Sequence, residues 1–168
     1  AGGVPMGSEL APASAGAAVD RAPTFVVFAR QDAGTAEFPG TALQRIQIIK
    51  GWTDKDGEPQ ERVVNVAGDA ENGATVDISS CETKGTGFAN LCALWTDDQF
   101  SPDERAYYYT RVVENPSCRW SQRICIANAV DCRNPDSIGE GLAGCCAKEH
   151  RPVIQERAWS SPIWYKPG

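Results

Sequence analysis

Apolar and polar positions alternate in short runs along most of the chain, and the period is that of strands rather than helices. Pro23 to Arg30 (PTFVVFAR) is the first clear strand. Gln31 to Gly40 follows as a loop, with Gly34, Pro39 and Gly40 as breakers. Leu43 to Trp52 (LQRIQIIKGW) alternates Ile46, Ile48 and Lys50 against Arg45, Gln47 and Ile49, and only Ile49 spoils a clean wet face. Asp54 to Gly57 reads as a hairpin turn, because Gly57 accepts a positive φ. Glu61 to Ala67 returns, Asp69 to Gly73 turns, and Thr75 to Ser79 alternates again toward Cys81. A glycine-rich loop covers Lys84 to Asn90.

The segment from Cys92 to Trp120 organises this pattern. Cys92 to Trp95 is a short apolar strand. Turn residues fill Thr96 to Asp103, and Arg105 to Val113 is rich in Tyr, Thr and Val, which suit a pleated surface. Asn115-Pro116 ends that strand, since a proline cannot donate to a ladder. The two strands are expected to form the central hairpin of a β-rich domain. After Trp120 the pattern dissolves. Ser121 to His150 has few apolar runs and predicts an irregular excursion held by bridges, with a helical turn near Ser121 to Ala129. Gln155 to Ala158 reads as a turn, and Ser161 to Lys166 as a last strand. Seven or eight strands with little helix predict an antiparallel β-sandwich spanning residues 23–168, with a cysteine-rich insertion at 118–150. Residues 1–22, rich in Gly, Ala, Ser and Pro, read as an extended linker or arm. Such a lead looks like the middle of a longer polypeptide.

Composition changes the picture at two points. The net charge of -6 argues against a nucleic-acid partner, which needs clustered Lys and Arg. No run long and apolar enough to span a membrane occurs. The second point is cysteine. The seven are Cys81, Cys92, Cys118, Cys125, Cys132, Cys145 and Cys146. Their spacing lacks the paired knuckles of a zinc site, and His150 is the one histidine. Disulfides are therefore expected, which implies a periplasmic or extracellular location. No signal peptide begins at Ala1, so any export signal is expected upstream or already removed. An odd count leaves one thiol unpaired or joined to another chain. The loop between Cys81 and Cys92 makes their bridge the easiest to propose, at roughly 2–3 kcal/mol by loop-closure entropy.

Candidate chemistry is sparse. His150 lies in a charged loop without a second histidine, which favours a solvated or structural role. Asp54, Asp56 and Glu58 have the spacing of half a calcium loop, but Pro59 and Gln60 interrupt it and a plain turn fits better. Asp97, Asp98, Asp103 and Glu104 could bind a cation at a sheet rim, although such residues more often cap turns, and Ser101 to Glu104 resembles a short helical start. No Ser is flanked as in G-x-S-x-G, and no His partner is suitably placed for nucleophilic catalysis. The adjacent Cys145 and Cys146 are expected to bridge two different partners. Arg119-Trp120 and Glu156-Arg157-Ala158-Trp159 are the most informative polar-aromatic pairs: Arg119, Trp120, Glu156, Arg157 and Trp159 could form a docking or ligand face. The competing expectation puts Trp120 and Trp159 in the core, with the arginines paired to Glu114 or Glu156. Five tryptophans also raise a glycan-binding face, although Trp52, Trp95 and Trp164 sit on strands where the core is usual.

Five stretches carry a resemblance to a known family. They are GGVPMG (Gly2 to Gly7), APTF (Ala22 to Phe25), LQRIQIIKGW (Leu43 to Trp52), YYYTRVVENPSCRW (Tyr107 to Trp120) and QERAWSSPIWY (Gln155 to Tyr165). Together they resemble, in order, the C-terminal part of the 3604 family of domains of unknown function. The resemblance implies long secreted or periplasmic proteins whose N-terminal part looks like a PHP (polymerase and histidinol phosphatase) metal-dependent phosphoesterase barrel. The His- and Asp-rich metal segments of that family precede the GGVPMG stretch and are not in this sequence. The implied role is then a non-catalytic C-terminal region, with no cofactor of its own, that packs on or shapes a catalytic domain of the same protein. Any divalent metal and hydrolase activity would belong to that missing part. The alternative is a free-standing extracellular module that binds glycan or protein.

Overall fold

The computed structural model describes residues 3–10 and 21–167. In chain order its strands are β1 (Glu9–Leu10), β2 (Thr24–Arg30), β3 (Leu43–Thr53), β4 (Pro59–Gly68), β5 (Thr75–Val76), β6 (Thr83–Lys84), β7 (Asn90–Thr96), β8 (Ala106–Glu114), β9 (Ser117–Cys118), β10 (Val153–Ile154), β11 (Arg157–Trp159) and β12 (Ile163–Tyr165). One α-helix, α1 (Trp120–Ala127), and two short 3-10 turns lie between β9 and β10. The fold is mainly β, a two-layer sandwich that does not close into a barrel.

The larger layer runs β1-β12-β8-β3-β4, with β11 continuing the β12 side of β8. All its pairs are antiparallel except β1 with β12. The smaller layer is the antiparallel ribbon β2-β7. Period-2 alternation decides what each strand buries. From the ribbon, Ala29 and Leu91 pack on Leu43 and Ile46. At the other end Ile48, Ala106, Tyr108 and Tyr165 form a second cluster, against which Phe25, Trp52 and Trp95 are partly buried. The Phe25 and Tyr108 rings lie 4.5 Å apart.

β3 is central, and both of its faces are shielded. Ile49 is as fully buried as Ile46, although they lie on opposite faces. The broken alternation of this strand is thus a property of its place between β4 and β8. On the face away from the ribbon, Tyr107 lies across Gly51: a Cβ there would sit 2.2 Å from the tyrosine ring.

Three expectations need correction. The strands from Cys92 and from Arg105 are not a hairpin. β7 pairs with β2, and β8 pairs with β3, β11 and β12, so the chain changes layers between them. Leu91 and Trp95 point into the core from one layer, where Leu91 meets Leu43 and Ile46 and Trp95 meets Tyr108 from the other, which a hairpin would not permit. Ser101 to Glu104 forms a turn closed by Glu104 N donating to Ser101 O (3.3 Å), not a helical start. The Cys81–Cys92 bridge is also absent. Cys81 joins Cys118, Cys125 joins Cys145, and Cys132 joins Cys146. Cys92 is free and exposed because its parity on β7 turns it outward, opposite Phe28.

Of the expected arm at 1–22, residues 1, 2 and 11–20 lie outside the described residues. Gly3 to Leu10 runs along the sheet edge. Gly7 N donates to Pro162 O (3.0 Å), Trp164 N to Ser8 O (3.0 Å), and Lys166 reaches Glu9 at 2.5 Å. The excursion is ordered by α1 and two of the three bridges. Disulfides of this kind belong to an oxidising compartment. No helix among the described residues is long and apolar enough to cross a membrane.

Candidate functional site

Register on the sheet face away from the ribbon brings a set of arginines together. Arg45 pairs with Val113, and Gln47 with Arg111, across β3 and β8. On the other side of β8, Arg157 pairs with Val113 and Trp159 with Arg111. Same-row residues share a face, so Arg45, Arg111 and Arg157 project together. Arg119, just after β9, closes the group from the base of the excursion, where its backbone N–H donates to Pro152 O (2.8 Å). The four arginines line one pocket of about 450 Å³, together with Val113, Pro116 and β10.

The polar bonding of this pocket is incomplete. Arg111 Nε donates to Gln47 Oε1 (2.8 Å), and Gln47 passes the chain on to Asn65 (2.8 Å). Arg45 donates to Gln44 Oε1, which also accepts from Gln155 Nε2 (3.0 Å). The Nε atoms of Arg45 and Arg119 are buried and have no hydrogen-bond partner. Among the described residues, none of the four arginines lies within ion-pair distance of a carboxylate. Burial, and secondarily the charge of Arg111, pull the Arg45 pKa below the usual arginine value.

The five residues of the expected docking or ligand face therefore separate. Arg119 and Arg157 enter the pocket, and Trp159 flanks it, with the Arg157 guanidinium 5.9 Å from its ring centre. Trp120 opens α1 and is 73% exposed. Glu156 is exposed, and its carbonyl accepts from Glu114 N (3.0 Å). The core expectation for Trp120 and Trp159 fails, since Trp159 is 58% exposed. A short strand at a sheet margin has nothing stacked over its outer face. The expected pairing of Arg119 and Arg157 with Glu114 or Glu156 is absent among the described residues. Glu114 is instead pushed above the usual carboxylate range by burial, then by Glu156 and Asp32.

The acidic candidates are committed elsewhere. Asp54 holds its own turn: its carboxylate accepts from Asp56 N and Glu58 N (3.0 Å each) and from Gln60 Nε2 (2.8 Å). The Glu58 bond is the main reason its pKa lies below the usual range. Asp97 is fully buried and meets Lys50 Nζ at 2.6 Å, the Tyr108 hydroxyl at 2.8 Å and Gln99 N at 3.0 Å. Asp98 binds Arg62 at 2.6 Å. The proposed cation rim of Asp97, Asp98, Asp103 and Glu104 is thus an ion-pair network at two of its four members. His150 Nε2 shares a hydrogen bond with Gln122 Oε1 (2.8 Å), a structural contact at the foot of α1. No group of His, Cys, Asp and Glu among the described residues has a metal-binding arrangement.

The family described as "Protein of unknown function (DUF3604)" matches residues 1–167. The chain belongs to that family. Neither a curated protein nor a solved structure matches it. For this DUF3604 chain the geometry is thus the ground for a functional reading. Arg45 and Arg111 escaped the sequence reading because they lie 66 residues apart and meet only through the β3-β8 register. The usable signal was parity: Arg45 and Gln47 share the polar side of a strand whose other side is Ile46 and Ile48.

Proposed function

We propose that this region is the non-catalytic C-terminal part of a longer periplasmic or extracellular DUF3604 protein, and that it docks on a domain preceding it in the same polypeptide. The carrying observation is the outer face of the β2-β7 ribbon. Val26 (80% exposed), Phe28 (67%) and Leu94 (73%) stand side by side there, with Cys92 beside them. Two strands that turn apolar side chains both inward and outward have the pattern of a middle layer. The occupant is chosen by the path of the chain. The Gly3–Leu10 arm is fixed along β12, and Met6 and Leu10 border the same groove of about 890 Å³ as Val26 and Phe28. A preceding domain joined through that arm would emerge beside the ribbon. Its PHP-like character, divalent metal and hydrolase chemistry rest on the sequence resemblance.

The test is a double variant, Val26→Asp with Phe28→Asp. Both side chains face water, so the isolated region should fold with a midpoint within a few degrees of the parent. Association with the separately produced preceding domain should fall at least tenfold. Unchanged association would rule the ribbon face out.

A second reading, as a glycan-binding module, is favoured by one observation. Trp164 and Tyr107 (ring centres 5.4 Å apart), Tyr109 and Trp159 share the open face of the larger sheet. Exposed aromatic planes suit pyranose stacking. Neutral oligosaccharides that fail to perturb these four residues would remove it.

A further inference from the structure

The arginine pocket is a different surface from the ribbon, and its chemistry is different. A protein of net charge -6 gathers four guanidinium groups around about 450 Å³. Like charges so placed repel one another, and carboxylates are the ordinary remedy. Here the near partners are neutral amides: Gln47 on Arg111 and Gln44 on Arg45. Six carboxylate ion pairs among the described residues engage Lys50, Arg62, Lys84, Arg133 and Lys166, so the chain does not lack acids. Two N–H donors, Arg45 Nε and Arg119 Nε, are buried without an acceptor. Both are closed off from solvent, so the nitrogens left for a ligand are the terminal ones of the guanidinium forks. Guanidinium forks match the flat or tetrahedral oxygens of carboxylate, sulfate and phosphate.

We propose that this pocket binds an oxyanion, a carboxylate, sulfate or phosphate group carried by a small ligand that enters from the open face of the larger sheet. The oxyanion is clamped by the terminal guanidinium nitrogens of Arg45, Arg111, Arg119 and Arg157, which line the pocket together. Trp159, opposite Arg111 on β11, borders the entrance and offers a plane for the body of the ligand. Amides hold Arg45 and Arg111 in place without neutralising them. The charge of the site is therefore left for the ligand.

The experiment is a titration of the 168-residue chain with sodium sulfate, sodium phosphate and sodium glucuronate. It is followed by arginine Nε–H resonances and by calorimetry, with sodium chloride at matched ionic strength as the blank. Saturable binding of at least one of the three is expected, with the Nε–H signals of the four pocket arginines moving and that of Arg151 staying in place. The tightest of the three identifies the group. Arg111→Gln should weaken binding at least tenfold. Because Arg111 also holds Gln47, Arg157→Gln is the companion variant: Arg157 is exposed, its loss should leave the fold intact, and it should weaken binding severalfold. Arg151→Gln, on the exposed loop before β10, should bind as the parent does. Absence of saturable binding by all three anions, or equal affinity in the parent and Arg157→Gln, would overturn the proposal. The docking reading concerns the ribbon's outer face, so either can fail while the other stands.

Discussion

Asp97 is the side chain on which the most buried polar atoms depend. It accepts from Lys50, from the Tyr108 hydroxyl and from Gln99 N, with both charged partners out of contact with water. Lys50 also lies 5.0 Å from the centre of the Trp52 ring and donates to Gln99 O. Burial, then the hydrogen bond to Asp97, drives the Tyr108 pKa far above its usual value, so the phenol stays a donor throughout the working pH range. Removing one member of a buried pair leaves the other uncompensated, which costs about 3–5 kcal/mol. Asp97→Asn should therefore lower the urea midpoint strongly, while Asp98→Asn, on the exposed member of the network, should leave it nearly unchanged. Glu114 makes the opposite case. Its folded pKa is raised, so the folded state holds that proton more tightly than the unfolded state does. The penalty is full above the folded pKa and vanishes below the unfolded one. Glu114→Gln should stabilise the protein at neutral pH, and the gain should shrink as pH falls through the Glu114 titration, measured by thermal unfolding across pH 7 to 4. At this scale the sequence revealed residue type but not partners. Asp97 and Lys50 were both visible, yet only the β3-β8 register and the turn at residue 99 bring them together.

Strands were the most legible elements, because a two-residue period is written directly in the chain. β2, β3, β4, β8 and β12 fall within a residue or two of their expected ranges. Pairing was less legible. A short apolar strand, a turn-rich link and a second strand suggest a hairpin, but both edges of β8 are filled, by β3 on one side and by β11 and β12 on the other, and none is left for β7. Cysteine pairing was illegible for the same reason. Cys81 and Cys92 are near in sequence, yet parity on β7 sends Cys92 to the surface, while Cys118 on β9 approaches Cys81 to a Cα separation of 5.5 Å. The bridges differ in what they secure. Cys81–Cys118 closes a separation of 37 residues that contains all of β6, β7 and β8, and by loop-closure entropy it stabilises by about 4 kcal/mol. Cys125–Cys145 and Cys132–Cys146, with separations of 20 and 14, lie wholly within the excursion. Replacing the first pair with serines should lower the melting temperature of the whole sandwich. Replacing either of the other two should mainly raise amide exchange between residues 120 and 150 and leave β3 and β8 protected.

Taken whole, the molecule presents two unlike surfaces. The open face of the larger sheet is aromatic and cationic, and the ribbon's outer face is apolar. Only the second resembles the interior of a larger assembly, and that difference underlies the reading of this region as one part of a longer DUF3604 protein. The exposed thiol of Cys92 reports on it directly, since it sits among Val26, Phe28 and Leu94 on the face in question. The decisive measurement is the rate at which a water-soluble maleimide labels Cys92 in the isolated 168-residue chain and in the proposed longer protein. Docking predicts fast labelling of the isolated chain and labelling at least tenfold slower in the longer protein, recovered by Val26→Asp with Phe28→Asp. Equal rates in the two would show the ribbon face open to solvent in both and would contradict the account.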